Sequence, residues 1–281
     1  MALPSSPTSD FRPLSPIWLI GCGNMGKAML DGWLRAGLDP QLIQVIDPGL
    51  PPLPAGLTAL ADIPDVAVRP RTLVLAVKPQ TFEAVSEMLA PAITSETLVI
   101  SILAGVETAT LADRLGAAAV IRAMPNTPAA IGKGVTALYA RSASEMQRRQ
   151  AETLTAPLGS IAWIADEGQF DAVTALSGCG PGFTFRFIDA MAEAGVALGL
   201  DAALAARLAL ATVSGAAALA EGSAESPAVL ADRVASPGGS TREGLNVLDE
   251  TEGGLKELMR RTLQAAADRS AEMAATARKN A

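Results

Sequence analysis

A short apolar run, Ile17-Trp18-Leu19-Ile20, ends at Gly21-Cys22-Gly23-Asn24-Met25-Gly26, and no other stretch restricts the possible folds as much. Met25, Met29, Leu30, Trp33 and Leu34 follow at helical spacing, so the context is strand, tight turn, helix. In that context each glycine has its own task. Gly21 permits the sharp turn, Gly23 lets a pyrophosphate approach the backbone, and Gly26 lets helix and strand pack closely. The helix start at Asn24 and Met25 then faces the phosphates with unpaired N–H groups and the positive end of its dipole.

The chain goes on to alternate strand and helix. Leu42 to Asp47 reads as a second strand, and Asp47 lies 21 positions past Gly26, near the spacing at which a carboxylate meets the adenosine ribose. The same residue also suits a turn before Pro48. The stretch Pro48-Gly49-Leu50-Pro51-Pro52 has no Arg or Lys to receive a 2′-phosphate, which favours NADH over NADPH. Thr72 to Val77, Thr97 to Ser101 and Ala118 to Arg122 are further buried strands, and Gly134 to Ala140 and Ser160 to Ile164 close the set. Near-continuous apolar strands separated by helices indicate a parallel sheet covered on both faces. Ligands bind beyond the carboxyl ends of such strands. Lys78-Pro79-Gln80, Ala104-Gly105 and Met124-Pro125-Asn126-Thr127-Pro128 all stand there.

From Asp166 onward the chain is alanine-rich and reads as helices alone, over Phe183–Leu198, Ala202–Glu221, Pro227–Val234, Glu243–Glu250 and Leu255–Arg278. Alanine-faced helices bury little apolar area each, so this half is expected to complete its core against another subunit. Two stretches are unusual for a bundle. Leu176-Ser177-Gly178-Cys179-Gly180-Pro181 breaks one helix and restarts another, with Pro181 suited to a first helical turn. Ser236-Pro237-Gly238-Gly239-Ser240-Thr241 leads into a helix, and Ser240 with Glu243 fits a capping box. Consecutive backbone N–H groups at that helix start also suit a carboxylate, with a hydroxyl near enough to touch a second polar atom of the same small ligand.

Several function classes drop out. A net charge of −7 without a basic stripe argues against a nucleic-acid partner. No apolar run reads as long and pure enough to span a bilayer, and Met1 to Pro16 reads as a flexible tail and not as a signal peptide. Two cysteines make no disulfide framework, so a cytoplasmic protein is expected. The 281 residues include no histidine, which excludes histidine metal sites and imidazole proton donors. No metal site is expected. Redox chemistry here has to use a substrate that arrives protonated, or a lysine or hydroxyl donor.

In this order, the segments Gly21–Gly26, Ala76–Gln80, Arg122–Pro128, Leu176–Pro181 and Ser236–Thr241 resemble those of the pyrroline-5-carboxylate reductases, over nearly the whole length after the tail. The resemblance implies an α/β Rossmann domain over residues 17–165 and an all-α dimerisation and substrate domain over 166–281, after a tail of residues 1–16. It further implies dimers with interleaved helices, five of which form a decamer in some members. The implied reaction is reduction of 1-pyrroline-5-carboxylate to L-proline by NADPH or NADH. Carried onto this chain, Gly21, Gly23, Asn24, Met25, Gly26, Asp47, Ala76, Val77, Lys78, Pro79, Ala104 and Asn126 bind the cofactor. Ser177, Ser236, Gly238, Gly239, Ser240 and Thr241 bind the substrate, and Thr241 hydrogen-bonds the ring nitrogen as the catalytic residue. Cys179, Gly182 and Ser240 replace the family's more usual serine, alanine and threonine. β-Hydroxyacid dehydrogenases share this plan but take a catalytic lysine from the helical domain, and Phe183–Leu198 contains none. A non-catalytic sensor of NADH would have no use for the Ser236–Thr241 loop.

Overall fold

The computed structural model describes residues 10–64 and 68–279, and divides into two compact units. The first unit runs to Gly178 and regains the chain from Ala267; the second is Cys179–Ala266. The change from alternating elements to helices alone falls earlier than that division, after the last strand ends at Trp163.

The first unit is built on an eight-stranded sheet. Its elements are β1 (Ile17–Ile20), α1 (Asn24–Arg35), β2 (Ile43–Ile46), β3 (Ala59–Leu60), β4 (Thr72–Leu75), α2 (Phe82–Leu89), β5 (Leu98–Ser101), α3 (Thr108–Leu115), β6 (Ala119–Pro125), β7 (Gly134–Tyr139), α4 (Glu145–Thr155), β8 (Gly159–Trp163) and α5 (Phe170–Val173). The strand order is β3-β2-β1-β4-β5-β6-β7-β8. The strands from β3 to β6 pair in parallel, β7 runs antiparallel to β6, and β8 is parallel to β7. The two-residue β3 and the reversal at β7 carry no hydrophobic-period signal of their own. Alternation explains why the apolar strands read as continuous. Ile17 and Leu19 enter one core with Met29, Leu30 and Trp33, while Trp18 and Ile20 enter the other with Phe82, Leu89 and Leu111. The buried Trp33 indole N–H donates to the Leu154 carbonyl at 2.6 Å and ties α1 to the end of α4.

Residues 1–9 lie outside the described residues. Residues 10–16, expected as part of a flexible tail, instead pack onto the sheet. Phe11 and Leu14 are buried in the core beside Ile17, because a one-turn helix at Arg12–Leu14 turns both apolar side chains inward.

The second unit contains α6 (Gly180–Ala197), α7 (Ala202–Glu221), α8 (Pro227–Arg233), α9 (Ser240–Leu248) and the first half of α10 (Leu255–Lys279). Small residues let α6 and α7 approach: a Cβ on Gly195 would come 3.3 Å from the Ala205 Cβ. Asp201 caps α7 by accepting from the Ala203 and Leu204 amides at 3.0 and 3.1 Å. By length and composition alone the 20-residue α7 could cross a membrane, contrary to expectation; an 18-residue stretch of it has a mean hydropathy of 1.6. The reason is its abundance of alanines and leucines, with Arg207 the one charged residue before the terminal Glu221.

Candidate active site

The turn after β1 sits where the strand order reverses, between β2 on one side and β4 on the other. Gly21 has φ +87°, and a Cβ there would lie 2.7 Å from the Ala76 carbonyl oxygen. A Cβ on Gly26 would stand 2.5 Å from the Gly21 oxygen. Gly23 is different. Its φ of −68° suits any residue, and a Cβ there would meet nothing within 4 Å. The protein itself gives no reason for a glycine at that position, whereas a bound phosphate at the uncapped start of α1 does. The residues therefore fit a dinucleotide.

Asp47 follows β2, half-buried beside the same turn. One carboxylate oxygen accepts from the Cys22 amide at 2.7 Å, and the other accepts from the Gly49 amide at 2.8 Å. Asp47 is thus both the turn residue and the neighbour of the glycine turn, two readings the sequence left open. Ala76 and Val77 leave β4 half-buried. Lys78 is exposed and caps the short turn Pro79–Thr81, its carbonyl accepting from the Thr81 hydroxyl at 2.9 Å. Ala104 is exposed just past β5, next to Gly105 at φ +76°.

Asn126 and Ser177 are brought together. The Asn126 amide nitrogen donates to the Ser177 carbonyl at 3.1 Å, while its oxygen accepts from the Val135 amide at 2.8 Å. Ser177 belongs to a π-helical segment, Thr174–Gly178, that continues α5, a geometry frequent at functional sites. Gly178 belongs there for packing, since a Cβ would come 2.9 Å from the Met124 methyl.

The Ser236–Thr241 loop lies in the second unit. Gly238 takes φ +69° after Pro237, and the Gly239 amide donates to the Ser236 carbonyl at 2.9 Å, the pattern of a type II turn. A Cβ on Gly239 would meet the Ser236 hydroxyl at 2.6 Å. The expected Ser240–Glu243 capping box does not form. Gly239 is the N-cap, and α9 starts at Ser240, so that the Ser240 side chain lies one residue too late to cap. The amides of Ser240, Thr241 and Arg242 are left as the open donors of the first turn, with the Ser240 and Thr241 side chains exposed beside them.

Two family profiles match the chain: "NADP oxidoreductase coenzyme F420-dependent" over residues 16–105 and "Pyrroline-5-carboxylate reductase dimerisation" over residues 167–273. The pyrroline-5-carboxylate reductase of Pseudomonas aeruginosa is 40% identical over 272 residues, spanning 92% of this chain and 96% of that protein. This chain belongs to the pyrroline-5-carboxylate reductase family. The Methanosarcina acetivorans reductase is 37% identical across 92% of the chain and 97% of that protein. A solved pyrroline-5-carboxylate reductase from Coxiella burnetii matches with a TM-score of 0.83 at 34% identity, covering 92% of this chain and 98% of that one. The Plasmodium falciparum pyrroline carboxylate reductase, solved with NADP bound, matches with a TM-score of 0.79 at 27% identity, again over 92% and 98%.

One feature of this family member was not read from sequence. Glu167 accepts from the Thr108 amide and hydroxyl, both at 2.8 Å, and from the Arg122 guanidinium at 2.8 Å. Arg122 also stacks on Phe170, 4.1 Å from the ring centre. The carboxylate thereby caps α3, holds β6 and anchors the start of α5. Asp166 and Gln169 do form a capping box and could have marked the helix start. Nothing local marks partners 45 and 59 residues away.

Proposed function

We propose that this chain reduces 1-pyrroline-5-carboxylate to L-proline with NAD(P)H, the last step of proline biosynthesis. The observation that carries the reading is the Ser236–Thr241 turn. It presents three consecutive open amides with two exposed hydroxyls at the start of a helix, a binding site for a carboxylate next to a second polar atom.

The turn amides take the substrate carboxylate and fix the ring. The Thr241 hydroxyl hydrogen-bonds the ring nitrogen, the position that carries the proton of the iminium form. Bound NAD(P)H supplies the hydride to the imine carbon. Gly23 leaves room for the pyrophosphate, and Ala76 to Pro79 with Ala104 border the dinucleotide along the strand ends. A cyclic imine is protonated near neutral pH, so no imidazole is needed, in keeping with a chain that has no histidine. Catalysis is then mainly placement of reacting atoms roughly 3–3.5 Å apart.

The working form is a homo-oligomer in the cytoplasm, with a dimer as its smallest unit and a decamer of five dimers as the larger assembly. The exposed apolar faces of the second unit support association, and a solution mass separates the two sizes.

The test is oxidation of NADH or NADPH in the presence of pyrroline-5-carboxylate. Consumption that depends on the imine is expected, and none with either cofactor overturns the reading. Thr241→Ala is expected to lower turnover at least about tenfold, equivalent to roughly 1.4 kcal/mol. Unchanged kinetics would remove Thr241 from the mechanism.

A further inference from the structure

The loop after β2 is built to refuse a phosphate. Between Asp47 and Pro52 there is no cationic side chain and no hydroxyl. Backbone donors are missing as well, which a composition count does not reveal. Pro48, Pro51 and Pro52 have no N–H. The Gly49 amide already donates to the Asp47 side chain at 2.8 Å, and the Leu50 amide to the Asp47 carbonyl at 3.0 Å. Every position from 48 to 52 thus lacks a free donor. Leu50 closes this turn at φ +45°, the one non-glycine residue with positive φ among those described, and its side chain is 55% exposed. A strained, exposed leucine is costly to keep unless the turn has a task.

The opposite capacity is present. The Asp47 carboxylate is fixed by the Cys22 and Gly49 amides, which use two of its roughly four lone-pair sites. The rest are free to accept from hydroxyl groups. The carboxylate stands beside the glycine turn at the end of the neighbouring strand, where the adenosine ribose of a dinucleotide lies.

We infer that the Asp47–Pro52 turn makes this chain selective for NADH: Asp47 accepts the 2′- and 3′-hydroxyls of the adenosine ribose, and the donor-free turn leaves a 2′-phosphate unpaired against a fixed carboxylate. This rests on the dinucleotide role proposed above, although not on the identity of the imine. Selectivity arises here from repulsion and missing partners as much as from attraction.

Titration of the full-length protein with NADH and with NADPH, read by nicotinamide fluorescence without any imine, tests the inference apart from the reaction. A Kd for NADH at least about tenfold below that for NADPH is expected, since opposed like charges cost several-fold in affinity or more. Equal affinities, or tighter NADPH, would overturn it. Asp47→Ser should narrow the ratio at least about tenfold by weakening NADH and relieving NADPH; a constant ratio in a folded variant removes Asp47 as the determinant. If Asp47→Ser does not fold, Pro52→Arg places a cation on the exposed turn and leaves Asp47 intact. A gain confined to NADPH supports the assignment, and no gain shows that the turn does not meet the 2′-position. If NADH binds selectively but is not oxidised with pyrroline-5-carboxylate, the proposed reaction fails while the inference stands.

Discussion

Two glycines three residues apart separate folding from binding. A Cβ on Gly26 would overlap the Gly21 oxygen at 2.5 Å, so Gly26→Ala should cost about 2 kcal/mol of stability through overpacking, measured by denaturant unfolding. A Cβ on Gly23 meets nothing within 4 Å, so Gly23→Ala should stay within about 1 kcal/mol of the parent. It should nevertheless weaken NADH binding at least about tenfold, because the methyl group stands where the phosphates approach. Equal losses of stability in the two variants would show that Gly23 also serves packing. Cys22, just before Gly23, makes a pH prediction. Burial pushes its thiol above the ordinary 9.0; the Asp47 and Asp31 carboxylates add to this, and Lys27 opposes it. The folded thiol therefore holds its proton where the unfolded one has lost it. Its contribution to stability is full below about pH 9 and is lost as pH rises through the folded value. Alkylation of Cys22 at pH 8 should be slower than that of a free thiol, and Cys22→Ser should flatten the fall in stability above pH 9.

At the scale of elements, the sheet's C-terminal edge is held by a carboxylate that no local pattern announces. Glu167 joins α3, β6 and α5, and its partner Arg122 is buried. Glu167→Ala leaves that guanidinium without its counter-charge and should cost about 3 kcal/mol, whereas Glu167→Gln, which can still accept from Thr108, should cost less. Unfolding curves of the two variants check this order, and equal costs would remove the Thr108 hydrogen bonds from the account and leave the lost charge as the whole effect. The comparison shows which features a sequence reveals. The glycine turn was legible because positive φ and close approach restrict residue type at fixed spacing, and the strands because both sheet faces are buried. The Ser236–Thr241 turn was legible for the same backbone reason, although not its cap, since one residue of register separates an N-cap Ser240 from a first-turn Ser240. Phe11 and Leu14 were missed because a Pro- and Ser-rich setting hides two apolar residues that one short helical turn brings to the core. The Glu167 hub and the Asn126–Ser177 bond depend on positions 45 to 59 residues apart, where sequence periodicity carries no information.

For the molecule as a whole, the contrast between the two units decides how it exists in solution. The first unit encloses tryptophan, leucine and isoleucine in two cores, but among the described residues of the second the buried apolar side chains are the alanines Ala205, Ala209 and Ala235. The large ones face outward, with Phe185 65%, Leu198 88% and Leu219 66% exposed. At about 25 cal/mol per Å2, covering such side chains contributes far more than burying alanines does. The second unit is therefore expected to gain its stability from a second copy of the chain. Folding and association are then linked, and the melting temperature should rise with protein concentration, as it does for dimers without a stable folded monomer. The light-scattering mass should be at least twice the 28.7 kDa of one chain at micromolar concentration. Leu208→Lys combined with Leu219→Lys, three turns apart on one exposed apolar face of α7, puts two charges there and should lower both the mass and the melting temperature. Those two readings separate association from simple surface tolerance. A one-chain mass with a melting temperature that is independent of concentration would mean that the alanine bundle supports itself.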